Sequence, residues 1–419
     1  MRETAARSAR RRSWGAAAGL LGPAFVASIA YVDPGNVAAN LTAGARFGYL
    51  LVWVLVFANL MAMLVQYQSA KLGIVTGRTL PELLGARLGS TSRRLYWAQA
   101  ELVALATDLA EVVGGAIGLH LLFGLPLPLG ALIVGAVSMA ILAIQDRRTQ
   151  QRFELAIMGL LAVITLGFLA GLFVSPPSPS GIVSGLVPRF DGPETVLLAA
   201  SMLGATVMPH AIYVHSALSR DRHRADPHMH VPAPAVARLL RGTRIDVAVA
   251  LGLAGVVNIG MLLLAASTLG GGEETDTIEG AHSAISGALG PFVGTAFAIG
   301  LLASGLASTA VGSYAGATIM GGLLHRRIPV VLRRLVTLVP SVTLLALGLD
   351  PTMSLVVSQV VLSFGIPFAL IPLIRLTSDR QLVGDFAASR LTTIASWTSA
   401  ALVIILNLVL VWLTVTSGG

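Results

Sequence analysis

The chain has 419 residues, 55% hydrophobic and only 11% charged, with a mean hydropathy of +0.81 and a formal net charge of +8. That balance excludes an ordinary soluble globular domain, and the alternating ten-residue strands of an outer-membrane barrel are absent. There is no cysteine, which excludes disulfides, thiolate metal sites and thiol catalysis; in so apolar a chain the basic surplus points to membrane-flanking loops and not to nucleic acid.

Apolar runs separated by short polar stretches predict an all-α polytopic membrane protein with about eleven spans. Residues 1–16 form a basic segment. Its arginines precede an apolar run as in a signal peptide, but the run is long, holds an acid and shows no clear cleavage site, so it reads as the first span. Span 1 covers about 17–45, span 2 about 48–73, span 3 about 95–123, span 4 about 126–145 and span 5 about 153–175. Span 6 covers about 194–219, span 7 about 244–269 and span 8 about 290–323. Spans 9, 10 and 11 cover about 328–348, 353–376 and 391–415.

Span 1 is interrupted at its centre by Asp33-Pro34-Gly35-Asn36. A carboxylate in hydrocarbon is costly and marks a functional site by default. Pro34 cannot donate a backbone hydrogen bond and pushes Asp33 out of helical geometry, while Gly35 adds freedom for a turn. The expectation is a helix broken at mid-membrane, with freed carbonyls and the Asp33 carboxylate forming a cation site. Span 6 carries a second interruption, Gly204-Ala205-Thr206-Val207-Met208-Pro209-His210. Spans 1 and 6 would each open a five-helix half, about 17–175 and 194–376, the second inverted relative to the first. No residue-level identity between the halves supports this; it rests on the breaks and the topology. Span 11, within 391–419, would lie outside the repeat.

Basic residues alternate between the two sides. Arg2 to Arg12, the 2–3 loop with Lys71, the 4–5 loop, the 6–7 loop, the 8–9 loop and the 10–11 loop hold nearly all of them, and the opposite loops offer only Arg46 and Arg189. This predicts a cytoplasmic N-terminus and an external C-terminus.

The paired break motifs resemble those of the Nramp family of proton-coupled divalent metal transporters. So do the segments Gln66 to Gly77, Ala106 to Glu111, His215 to Leu218 and Ser358 to Ser363, so that the resemblance runs from span 1 through span 10. It implies a LeuT-type fold of inverted 5+5 repeats with spans 1 and 6 unwound, in a bacterial-type plasma membrane. It implies metal coordination by Asp33, Asn36, the Ala205 carbonyl and Met208, with Gln359 of span 10 approaching the metal in some states. The donor chemistry agrees: Asp33 supplies charge, Asn36 a neutral oxygen, and the Met208 thioether favours softer transition ions over magnesium or calcium. Core packing is the alternative for Met208, a helix cap or ion pair for Asp33, and an interhelical hydrogen bond for Gln359.

Span 3 carries Glu101, Asp108 and Glu111 on one broad face, which suggests a proton relay or an internal salt-bridge network. The resemblance implies that Asp108 and Glu111 pair with Arg333 and Arg334 of span 9 on a proton route; simple snorkelling is the alternative for the arginines. Histidine as a residue type titrates near neutral pH, so His210 and His215 are assigned gating or proton roles, with a hydrogen-bonded structural histidine as the alternative. His223, Asp226, His228 and His230 match no closed metal site and read as a solvated loop. Glu273, Glu274, Asp276 and Glu279 either attract cations or form a hydrophilic loop. Two positions depart from the family pattern: Ala211 where an asparagine is usual, and Ala317 where a glutamine is frequent, both expected near the transport core.

The expected function is proton-coupled import of a divalent transition metal, manganese or ferrous iron first, by alternating access. The metal is substrate and no cofactor is expected; partners are the metal, protons and membrane lipid, with no nucleic acid. A magnesium carrier of related fold, a sodium-coupled organic solute carrier, a channel and a membrane enzyme are the competing readings. Met208, the two broken helices and the lack of a zinc-hydrolase motif weigh against them.

Overall fold

The computed structural model describes residues 22–143, 150–223, 231–269, 277–325 and 330–417. Among these residues every regular element is helical, as expected of backbone that must satisfy its own hydrogen bonds in lipid. Span 1 is α1 (Pro23–Ile29), a 3₁₀ turn (Ala30–Val32) and α2 (Pro34–Phe47). Then come α3 (Val52–Thr76), α4 (Leu80–Arg87), α5 (Ser90–Phe123), α6 (Leu127–Ala143), α7 (Gln150–Val174) and α8 (Pro179–Gly185). Span 6 is α9 (Gly192–Thr206) and α10 (Pro209–His223). The chain continues with α11 (Ala233–Thr268), α12 (Ile278–Leu289), α13 (Pro291–Leu324), α14 (Val330–Ala346), α15 (Pro351–Ser378), α16 (Arg380–Val383) and α17 (Arg390–Ser417).

All eleven expected spans have a helix or a broken pair of helices, and both breaks fall where the prolines put them. The short helices α4, α8, α12 and α16 are additional. Helix α11 starts well before the expected start of span 7. Its 36 residues rise about 54 Å at 1.5 Å each, far more than a bilayer core, so its first turns carry Arg238 and Arg241 beyond the hydrocarbon. Lys71 is also not in a loop: it lies in α3 and is 5% exposed.

The packing shows the inverted repeat. Helix α2 packs on α11 as α10 packs on α3, and α1 on α7 as α9 on α15. These pairings interchange when spans 1, 2 and 5 are exchanged for spans 6, 7 and 10. Helix α5 lies against α13, the third span of each half, in the most extensive helix contact of the molecule. Of the most apolar stretch in Gly192–His223, 94% is buried, against 33% in Arg390–Leu413. Span 6 is therefore central and span 11 peripheral.

Close approach explains several small residues. A Cβ on Gly114 of α5 would overlap the Pro34 ring, so the broken span can sit this close only to glycine. Gly114→Val is expected to destabilise the protein by about 1–3 kcal/mol through overpacking, or to push Pro34 off its seat. A thermal melt in detergent, with metal uptake in parallel, measures both effects.

Helix α4 is tied at the end of the bundle that carries Arg87 and Arg220. Thr79 and Glu82 close a capping box, Leu80 N donates to Ser216 Oγ at 3.0 Å, and Arg220 pairs with Glu82 at 2.8 Å. Arg87 reaches Asp379 at 3.0 Å, and this guanidinium holds the Asp379 carboxyl below the usual carboxylate range. At the opposite end Arg46 of α2 pairs with Glu194 of α9, joining the second half of broken span 1 to the first half of broken span 6.

Candidate metal-binding centre

The centre is built by the two prolines. In a continuous helix the carbonyl of residue 205 accepts from the N–H of residue 209; residue 209 is proline and has none. Helix α9 therefore ends at Thr206, Val207 adopts φ −112° and ψ 66°, and α10 starts at Pro209. Residues 30 and 34 repeat this relation, and the chain tightens into the 3₁₀ turn before stopping at Asp33, which is extended at φ −78° and ψ 168°. Aligned on their prolines, the breaks read Ala30-Tyr31-Val32-Asp33-Pro34 and Ala205-Thr206-Val207-Met208-Pro209. The two windows share Ala, Val and Pro, of which the break itself requires only the proline. This alignment puts Asp33 and Met208 at equivalent positions.

Asp33 is fully buried and caps α2: Oδ1 accepts from Asn36 N at 2.8 Å and from Asn36 Nδ2 at 2.7 Å. The cap reading is therefore correct for one oxygen. Its other oxygen, Oδ2, accepts from Gln359 Nε2 at 3.3 Å, and among the described residues no Lys or Arg forms a salt bridge with Asp33. The Asn36 amide joins the breaks, since Nδ2 also donates to the Ala205 carbonyl at 2.9 Å. On its other side Thr206 Oγ1 lies 3.4 Å from Asn36 Oδ1. Met208 is fully buried between Val207 and Pro209, three residues beyond the Ala205 carbonyl. Asp33, Asn36, Ala205 and Gln359 are thus linked by hydrogen bonds, and Met208 occupies the facing break. Gln359 makes the interhelical bond of its alternative reading, with Asp33 itself as the acceptor.

This donor set has one charge, two amides, a backbone carbonyl and a sulfur. Among the described residues no three His, Cys, Asp or Glu side chains come together as a metal site. The helix breaks bring the Asp33 carboxylate, the Asn36 and Gln359 amides and the Ala205 carbonyl into one hydrogen-bonded group. A Cβ on Gly35 would strike the Gln359 amide, so glycine there is what lets span 10 reach Asp33.

The span 3 acids divide. Asp108 and Glu111 are buried, at 3% and 0% exposure, and face the same point of α13: a Cβ on Gly312 would lie 3.0 Å from Glu111 Oε1 and 3.4 Å from Asp108 Oδ1. Glu101, two turns earlier, is half-buried and stands apart from them. His210 Nδ1 lies 3.3 Å from Thr107 Oγ1, which connects the residue after the second break to the neighbour of Asp108. His215 Nδ1 lies 2.8 Å from Gln66 Oε1, and Gln66 Nε2 donates to the Tyr31 hydroxyl. This line of three leads from α10 back to the first break. Arg333 and Arg334 lie on α14, but their side chains are outside the described residues, as are Asp226, His228, His230, Glu273, Glu274 and Asp276. Ala211 is fully buried beside His210, whereas Ala317 is exposed on α13 and not buried at the core as expected, because it lies on the helix face opposite its buried neighbours Ala315 and Ile319.

Two groups that shape the centre were not singled out from sequence: Asn258 of α11, whose Nδ2 donates to the Tyr31 carbonyl at 2.7 Å, and Ser304 of α13, whose hydroxyl donates to the Val32 carbonyl. Asn and Ser inside apolar spans were the available signal; their targets depend on helix packing.

The family model described as natural resistance-associated macrophage protein-like matches residues 24–413. A relative from Mycobacterium tuberculosis strain H37Rv, named divalent metal cation transporter MntH, is 58% identical over 397 residues, covering 95% of this chain and 92% of the relative. One of the same name from Bacillus subtilis is 43% identical over 395 residues, covering 93% and 91%. Among solved structures, a manganese transporter of Eremococcus coleocola superposes with TM-score 0.83 at 30% identity, over 94% of this chain and 86% of that one. The nucleobase-cation symporter Mhp1, inward facing, superposes with TM-score 0.51 at 16% identity over 94% and 91%, which shows the shared LeuT-type fold. The relatives are integral membrane transporters and not enzymes, and the chain belongs to the Nramp family.

Proposed function

We propose that the chain imports divalent transition metal ions, manganese or ferrous iron first, with proton coupling and by alternating access. The observation that carries this is the Asn36 amide. It bridges the Asp33 carboxylate and the Ala205 carbonyl, two ligand-type oxygens from opposite halves of the repeat. A cation can replace the positive face of that amide if Asn36 turns its own oxygen inward. The metal then gains Asp33, Asn36, the Ala205 carbonyl, the Met208 sulfur and the Gln359 carbonyl, at the cost of the hydrogen bonds that the Asn36 and Gln359 amides now make. The names of the relatives, divalent metal cation transporter and manganese transporter, support the same substrate class.

Because the site joins α1–α2 to α9–α10, loading it ties the two broken spans together. Rocking of this unit against the remaining helices then opens the site to one side at a time. Protons take the route from Asp33 through His210 to Asp108 and Glu111, with Glu101, Arg333 and Arg334 further along and His215 at the gate. The N-terminus lies in the cytoplasm and the C-terminus outside, a reading that the basic loops support. Residues 1–16 form the cytoplasmic segment, 17–376 the transport core and 391–419 the added helix.

Reconstituted liposomes loaded with a pH dye test the reading. Saturable manganese uptake with internal acidification that scales with the metal is the expected result. Uptake that does not saturate assigns a channel, and uptake without acidification removes the proton from the mechanism.

A further inference from the structure

The break in span 1 releases more than one carbonyl, and the fate of each is visible. In a regular helix the Tyr31 carbonyl accepts from Gly35 N–H and the Val32 carbonyl from Asn36 N–H. Asn36 N–H is instead taken by the Asp33 carboxylate at 2.8 Å, and Asp33 itself is extended, so the 31-to-35 register of a continuous helix is interrupted as well. By capping α2, Asp33 strips two consecutive carbonyls of their helical partners. Both residues are fully buried, where an unmade hydrogen bond is costly.

Each orphan has one dedicated replacement, from a different helix. Asn258 Nδ2 serves Tyr31 O, and Asn40 Nδ2 fixes the orientation of the Asn258 amide by donating to its Oδ1 at 3.1 Å. Ser304 Oγ serves Val32 O. Asn258 and Ser304 are 2% and 0% exposed. Two hard oxygens adjoining Asp33 therefore each hold a donor of the protein, which fixes their direction and draws on their charge.

We propose that Ser304 and Asn258 are specificity-determining positioning residues: they withhold the Val32 and Tyr31 carbonyls from the cation bound at Asp33. Calcium takes six to eight oxygen ligands, and backbone carbonyls are among its usual ones. A break that offered both carbonyls beside a carboxylate would suit it. With both engaged, the cation meets few oxygens and one sulfur, a set that suits borderline transition ions. The inference rests on metal transport at the helix breaks and adds how calcium is kept out without any change to the direct ligands.

The test uses the full chain in liposomes, with manganese uptake competed by calcium. Ser304→Ala removes the donor with little change of volume, Ser304→Thr keeps the hydroxyl, and Asn258→Leu removes the second donor independently. The expected result is that calcium competes at about tenfold lower concentration relative to the manganese KM in Ser304→Ala and Asn258→Leu, a shift of about 1.4 kcal/mol, and that Ser304→Thr restores exclusion. An unchanged calcium-to-manganese ratio with uptake merely slower overturns the proposal, as does a threonine variant that behaves like alanine. Failure of both donor-deleted variants to elute as folded protein also overturns it, since the donors would then serve the fold alone. Absence of saturable manganese uptake in the unaltered protein removes the reading beneath it; intact uptake with unaltered selectivity removes only this inference.

Discussion

Manganese uptake by Asp33→Ala is expected to fall at least about 100-fold. Holding a charge at the bilayer centre costs about 2.5–3.5 kcal/mol even on the lenient insertion scale, which corresponds to about two orders of magnitude in affinity. Among the linked donors Asp33 carries the only formal charge, and among the described residues no salt bridge from Lys or Arg neutralises it. Alanine also removes the cap of α2, so Asp33→Asn separates the two roles. Asparagine is as good a cap as aspartate, which keeps the break in shape while removing the charge. Both variants should lose uptake, and Asp33→Asn should keep a melting temperature close to that of the unaltered protein. Radiometal uptake together with calorimetric manganese titration measures this; near-normal binding by Asp33→Asn would place the cation elsewhere.

Met208→Ala is expected to change which ions move more than how fast manganese moves. The thioether is a weak, soft donor that transition ions accept and that calcium and magnesium do not. Its removal leaves an oxygen-rich shell with room for water, so calcium uptake should become measurable while manganese KM rises by no more than about tenfold, one soft ligand's worth of about 1.4 kcal/mol. Competition of labelled manganese by calcium and by magnesium, in the unaltered and variant proteins, decides this. Identical discrimination in both would reduce Met208 to packing, the usual occupation of methionine.

The breaks were legible because proline chemistry is local. Pro34 and Pro209 deny hydrogen bonds to fixed partners four residues earlier, whatever surrounds them. Asp33 was legible for a related reason, since a carboxylate amid apolar residues has few structural explanations. Packing between helices was not legible. That the Asn36 amide spans to Ala205, or that Ser304 and Asn258 serve two particular carbonyls, depends on which faces of α2, α9, α11 and α13 meet, and one chain's periodicity does not say. Lys71 was placed in a loop because charge normally marks a boundary; its long aliphatic stem lets the helix continue around it. Motif position points Ala317 to the core, whereas the rotation of about 100° from one residue of α13 to the next decides whether a side chain faces inward.

The matched Ala-x-Val-x-Pro breaks bear on how such a chelator can arise. Two copies of a single five-helix unit, facing each other about a twofold axis, would present the same donor twice: a pair of acids or a pair of sulfurs. A pair of acids suits hard ions, and a pair of sulfurs carries no charge to hold a dication in oil. Duplication of the unit frees one copy to mutate without the other, and fusion then holds the two unlike copies together, so that aspartate can stand opposite methionine. The preference for borderline metals is then a property of asymmetry, unavailable to any homodimeric ancestor.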